Sequence, residues 1–335
     1  MMTILLLTLT LALAGGPAEV ASRNLRVFDA DAVASVAGLS SEQAAAALDA
    51  AEAELREIAR VTDPSSTAEG TLGALNKASG VGPQPVGESL FTLLSRARDF
   101  CDWTGGITGP LGFELARVWG RWEPRPTVPG PEEVAAATLS AGCDRLRLDD
   151  QQRTVNLAEG SRLDLSPFAR GFAVDAAIEA LRRSGAPSGF VRIAGVARGF
   201  GRGPDNAGWL VEPPAVAGLP APLEPIRLGS GAYAAATSAD PGFTAGNQVL
   251  PPYLDQRKGQ PGTGVLAVLA VSELAVDAQG LAATLYATGS RDGQRRLGSL
   301  KPRPHVLWVL GSGEGEPLLV EYFWSTLRRG GFLQK

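Results

Sequence analysis

Leu163-Asp164-Leu165-Ser166-Pro167-Phe168-Ala169-Arg170-Gly171-Phe172-Ala173-Val174-Asp175 runs from a short apolar strand through a Ser-Pro loop into a helix expected over 167–183. Its first turns carry Arg170 and Gly171, and Asp175 follows a turn later. Small residues here permit another backbone to come close, a helix N-terminus favours an anion, and an Arg fork suits phosphate. The same string also fits a capped amphipathic helix with a solvated Arg, so it needs its surroundings to be read.

Upstream, Ser41-Glu42-Gln43 opens an Ala-rich stretch to Arg60 with Leu48, Leu55 and Ile58 near one face, an amphipathic helix capped by Ser40 or Ser41. A second helix is expected from Gly87 to Asp102, with Leu90, Leu93, Leu94 and Ala97 on one side, and a third from Pro131, where Pro suits the first turn and Glu132 and Glu133 suit the dipole. Leu146–Leu148 and Thr154–Leu157 flank Asp149-Asp150-Gln151 as a hairpin. Downstream, 190–195 reads as a strand, 265–271 as a buried strand, 277–288 as a helix, and 306–310 with 318–322 as a terminal strand pair. Helices and paired strands come in runs without regular alternation, which favours an α+β fold over a doubly wound parallel sheet. Gly199-Phe200-Gly201-Arg202-Gly203 follows a strand, but Pro204-Asp205-Asn206 come next instead of a helix, so a dinucleotide fingerprint is excluded in favour of a glycine-rich turn.

The 335 residues are 44% hydrophobic, enough for one large or two modest cores. A net charge of -4 lacks the basic excess that phosphate-backbone binding needs, so nucleic acid is not an expected partner. One histidine, His305, excludes schemes needing two imidazoles, and Cys101 and Cys143 cannot build a four-cysteine zinc site; they could pair or remain two buried thiols. Chemistry therefore falls to carboxylates, hydroxyls, backbone groups and cations. At the N-terminus, Ile4–Leu13 is apolar and ends in Ala12-Leu13-Ala14 before Gly15-Gly16, the pattern of a signal peptide over 1–14, although residues 2–14 carry no Lys or Arg. Export to the periplasm is the expectation. No Cys follows the run to take a lipid, and no transmembrane segment is expected.

From about residue 60 to 290 the chain resembles the FAD:protein FMN transferase family, the ApbE type. That family's strings are T-G-G-A-F-D-P-T, D-L-G-G-I-A-K-G-Y-A-V-D, G-G-D, A-T-S-G-D, H-I-I-D-P-R-T-G-x-P and A-D-A-L-A-T-A. In the same order stand Thr104-Gly105-Gly106-Ile107-Thr108-Gly109-Pro110, the Asp164–Asp175 segment with Arg170 in place of Lys, Ala194-Gly195, Ala236-Thr237-Ser238-Ala239-Asp240, Asp255-Gln256-Arg257-Lys258-Gly259-Gln260-Pro261, and Val276-Asp277-Ala278 with the helix after it. The resemblance implies one α+β domain over 23–335, with mixed sheets and packed helices in a flavin-transferase, T-fold-like architecture. It further implies FAD as substrate, Mg2+ as cofactor, and an acceptor protein whose Thr or Ser hydroxyl attacks the FMN phosphorus and expels AMP.

Carried across motif by motif, Arg170, Gly171, Asp175, Gly195, Thr237 and Ser238 would contact the nucleotide, Ala169 (through its carbonyl), Asp277 and Thr284 would hold Mg2+, and Asp255 would serve catalysis. The departures weigh against activity. Pro252 stands where the family's fifth string has His, Thr108-Gly109 replace Phe-Asp, and Val196 replaces the Asp of the third string. Asp277 and Thr284 are seven residues apart, about 10.5 Å along a regular helix, whereas counting back from Gly289 puts Gln279 and Ala283 at the liganding positions. A non-catalytic flavin-binding or scaffold protein of the same fold is the alternative.

Overall fold

The computed structural model describes residues 19–313 and 315–330; the expected signal peptide lies outside them. Its centre is an eight-stranded sheet of β1 (Val20–Val27), β2 (Ala30–Ala37), β3 (Ser188–Ile193), β4 (Val196–Phe200), β5 (Ser230–Thr237), β6 (Val265–Ser272), β7 (His305–Leu310) and β8 (Leu318–Tyr322), lying side by side in chain order. Every neighbouring pair is antiparallel. The α+β expectation holds, with antiparallel ladders where a mixed sheet was anticipated. Its four long helices are α1 (Ser41–Val61), α2 (Glu88–Thr104), α3 (Ala169–Arg183) and α4 (Ala275–Leu297). Helices α1 to α3 fall in the long connection between β2 and β3, and α4 crosses from β6 to β7.

Local chemistry accounts for these elements. Ser40 caps α1 through a reciprocal box, its side chain accepting from Gln43 N while Gln43 Oε1 accepts from Ser40 N at 3.2 Å. Helix α2 ends on Gly105 in the left-handed conformation (φ 64°), where a side chain would be strained. The Leu146–Asp149 and Thr154–Leu157 hairpin forms as expected, with Asp149 Oδ1 accepting Gln151 N and Gln152 N across the turn.

Strands β6 and β7 show why their sequences are continuously apolar. Val268, Ala270, Val306 and Trp308 face the helices, whereas Ala267, Leu269, Val271, Leu307 and Val309 face a second core with Trp209, Leu228 and Trp324. Both faces are covered, so no polar alternation survives. Cys101, at the end of α2, and Cys143 form a disulfide with Cα atoms 5.9 Å apart. No helix among the described residues is long and apolar enough to cross a membrane.

Candidate functional site

Three segments of the sequence motifs meet at one place: the loop after α2, the entry to α3, and the hairpin Leu254–Asp255 with Gln260–Pro261. They enclose a hollow of about 30 Å³, lined among others by Thr108, Asp164, Ser166, Tyr253, Gln256 and Ala283. That is room for one water. The loop wall rests on the disulfide, since a Cβ on Gly109 would come 2.4 Å from Cys101 Sγ.

Gln256 ties the hairpin to this loop. Its backbone N donates to Ile107 O at 2.9 Å and its Nε2 to Gly109 O at 3.1 Å. The carbonyl partner fixes which end of the amide is nitrogen, so Oε1 is the opposite end, buried and without a partner among the described residues. A buried acceptor left unmatched costs about 1–3 kcal/mol. Asp255 beside it is buried, and its carboxylate accepts Arg257 Nε at 3.0 Å and Nη2 at 2.8 Å, with Arg257 N at 3.1 Å. Asp255 was expected to be catalytic, but both its oxygens are taken up in shaping the hairpin. Asp164, on the hollow's wall, uses Oδ1 to hold Ser166 N at 2.9 Å.

Thr237 and Ser238, at the end of β5, join through Asp240 and two tyrosines. Asp240 Oδ2 accepts Thr237 N at 2.7 Å and the Tyr253 hydroxyl. The Tyr253 ring lies 4.6 Å from that of Tyr286, whose hydroxyl bonds the Ser238 side chain. Burial pushes the Tyr253 hydroxyl well above the usual phenol range and Tyr286 up to about 12, with the Asp240 charge adding to both. Both phenols therefore stay protonated, and Tyr253 donates its proton to Asp240. Gly195 sits apart in the exposed β3–β4 turn, its carbonyl accepting Ala235 N at 3.0 Å.

At the junction of α3 and α4, Gly171 lets the helices touch: a Cβ there would stand 2.4 Å from Ala275 O and 2.6 Å from Val276 Cα. One turn on, Asp175 caps α4, accepting Ala275 N at 2.9 Å and Val276 N at 3.0 Å, while Arg198 Nη1 donates to it at 3.0 Å. Burial pushes the Asp175 carboxyl up to about 6, against the opposing pull of Arg198 and the two N–H groups. Asp175 was expected at the nucleotide, but these partners make it a helix-to-helix fastener. Gln279 returns the contact from α4, its Oε1 accepting Gly171 N at 2.7 Å and its Nε2 donating to Ser166 O at 2.8 Å. Thus Gly171, expected at the nucleotide, has its N–H taken up by Gln279. Arg170 is half-buried in the first turn of α3 and forms no ion pair among the described residues.

The expected metal set is not assembled. Asp277 is held by Arg96 in two parallel bonds, Nε to Oδ1 at 2.9 Å and Nη2 to Oδ2. It lines a separate hollow of about 450 Å³ between α2, α4 and the 300–304 segment, with Phe100, Trp103 and Leu281. Thr284 is fully buried and its hydroxyl donates back to Gly280 O at 2.8 Å. The donors present do not fit Mg2+, because the residues turned toward the α3 entry are Gln279, with its amide already paired, and Ala283. His305 is equally remote, its Nδ1 lying 2.8 Å from Phe323 O at the start of β7. Sequence reasoning missed Gln256, Tyr253 and Arg198 as members of these networks, since their partners are distant in the chain.

Comparison with known proteins agrees with the motifs. The sequence model described as the ApbE family matches residues 25–308. An FAD:protein FMN transferase of Vibrio cholerae is 27% identical over 249 residues, 71% of this chain and 73% of that protein. One from Treponema pallidum is 30% identical over 133 residues, which span only 38% of this chain and 37% of that protein. Among solved structures, an ApbE protein of Thermotoga maritima superposes with a TM-score of 0.81 at 20% identity, covering 94% of this chain and 100% of that one. At that identity the likeness speaks for the fold.

Proposed function

This chain belongs to the ApbE family, and we propose that it acts on FAD, passing the FMN half to a Thr or Ser hydroxyl of an acceptor protein. The observation that carries the reading is the buried, unmatched Gln256 Oε1 on the wall of the hollow that the family's motifs enclose. A ligand N–H or O–H would satisfy it. The hollow has room for about one water, so on this reading a nucleotide lies along its rim or parts the hairpin from the loop. On this reading the Arg170 guanidinium, which has no ion-pair partner among the described residues, would meet the pyrophosphate. In the transfer, the acceptor oxygen bonds to the FMN phosphorus, the bond from that phosphorus to the bridging oxygen breaks, and AMP leaves with that oxygen. The hydroxyl proton must go to a base, and Asp164 is the carboxylate on the wall.

A second reading, a flavin-nucleotide binder that does not turn over, is favoured by one observation: Pro252 lines the hollow where the resemblance calls for His. Losing a positioned base commonly costs on the order of 10² to 10⁴ in rate. Incubating the chain with FAD and an acceptor bearing an exposed Thr, then measuring FMN mass on the acceptor and AMP release, separates the two. Transfer supports the first reading; FAD binding without AMP supports the second; no binding of FAD, FMN or AMP at high micromolar concentration contradicts both.

We also propose that the chain is exported, with residues 1–14 as signal peptide and a single domain over 23–335. The disulfide supports an oxidising compartment, and a sheet drawing strands from both ends of the described chain supports the single domain.

A further inference from the structure

Two side chains lace α3 to α4 in opposite directions. Asp175 reaches from α3 to the first N–H groups of α4, and Gln279 reaches from α4 to the first turn of α3 and to the Ser166 carbonyl before it. The Asp175 charge is matched by Arg198, which also reaches Glu179 at 3.2 Å. Gln279 is neutral, and its oxygen and nitrogen are both engaged. One turn further along α4, Ala283 offers only a methyl group to the hollow.

Magnesium binds through hard oxygens at about 2.0–2.1 Å, usually from one or two carboxylates together with phosphates, and it gives up its waters reluctantly. A divalent cation at this junction would meet an amide oxygen already accepting Gly171 N and a Ser166 carbonyl already accepting Gln279 Nε2. The nearest acid on α4, Asp277, lies two residues from Gln279, about 200° around the helix, and is neutralised by Arg96. Moving Asp277 to the junction would require breaking that pair and turning the helix.

We propose that the Gln279 amide has replaced the cation at this junction, joining the Ser166–Gly171 segment to α4 by hydrogen bonds, and that the chain binds its flavin nucleotide without a divalent metal. The nucleotide part of this rests on the FAD reading above; the metal part does not. The charge of a bound pyrophosphate is then left to Arg170.

Mn2+, read by the paramagnetic resonance signal of the free ion, tests the metal part with the full chain, with and without FAD. The unmodified chain should leave the free signal unchanged in both cases. Gln279→Asp combined with Ala283→Thr, which restores a carboxylate and a hydroxyl one turn apart, should take up one Mn2+ per chain. Should that double variant not fold, as judged by circular dichroism, Gln279→Glu takes its place. FAD affinity of the unmodified chain should agree within about twofold between chelator and Mg2+. Stoichiometric Mn2+ uptake by the unmodified chain, or about tenfold tighter FAD binding with Mg2+, overturns the proposal. A folded variant that takes up no Mn2+ overturns the placement of Gln279 and Ala283 at the cation's position. Failure of FAD to bind in either buffer contradicts the FAD reading alone, because the Mn2+ measurement stands without it.

Discussion

Gly171→Ala sets two effects of opposite sign against each other. In an exposed helix the change would stabilise by about 1 kcal/mol, because Ala gives up less backbone freedom on folding. Here the new methyl would stand 2.4 Å from Ala275 O and 2.6 Å from Val276 Cα, which are backbone atoms unable to rotate away. Relief to ordinary contact requires the helices to part by about 1 Å. That would stretch the Asp175 bonds to Ala275 N and Val276 N from 2.9 and 3.0 Å, and the Gln279 bond to Gly171 N from 2.7 Å, beyond hydrogen-bonding range. Losing three buried bonds, two of them to a carboxylate, costs on the order of 3–5 kcal/mol. The net expectation is about 2–4 kcal/mol of destabilisation, of the size that core overpacking produces. Urea unfolding followed by circular dichroism reads it as a lower midpoint with an unchanged slope. An alanine variant as stable as the parent would show that the helices do not meet as described, and would remove the basis for the Asp175 and Gln279 contacts together.

Replacing Cys101 and Cys143 by Ser opens a loop of 42 residues and should cost about 4 kcal/mol of stability by chain entropy, checked by unfolding under non-reducing conditions. Asp175, at about 6 in the fold against an ordinary 3.8, holds its proton more tightly folded than unfolded. Its contribution is thus fully present below pH 3.8 and lost as pH rises through 6, by up to about 1.4 kcal/mol per pH unit. The difference in stability between parent and Asp175→Asn across that window should show this slope, and a flat difference would contradict it. Gln256→Leu keeps the volume and removes both the unmatched acceptor and the Nε2 bond to Gly109 O, two effects of opposite sign, so the apo chain should change by no more than about 1–2 kcal/mol while FAD binding weakens about tenfold in calorimetry.

The fold was largely legible because its elements announce themselves locally. Ser40 with Gln43 marks the start of α1, and the unbroken apolar run Val265–Val271 marks a strand buried on both faces. The site was legible as a set of strings but not as a set of contacts. Helix α4 begins at Ala275, two residues before the start expected at Asp277. Residues two apart on a helix point to nearly opposite sides, so choosing Asp277 over Gln279 exchanges the hollow at the α3 entry for the one beside Arg96. Composition could not separate them, since Asp is the better metal ligand and only tertiary placement shows where it faces. The Gln256 contact to Gly109 spans 147 residues and leaves no periodic trace in the sequence. The pairing of Cys101 with Cys143 was likewise open until α2 and residue 143 were seen side by side.

Calorimetric titration of FAD into the purified chain, with Arg170→Ala and Arg170→Lys beside it, most directly tests whether this cleft still handles a flavin nucleotide. The account predicts saturable binding by the unmodified chain, unaffected by chelator, that weakens more with Ala than with Lys, because Lys keeps the charge but not the fork. An absence of heat from FAD at high micromolar concentration, or equal binding by all three chains, would contradict it.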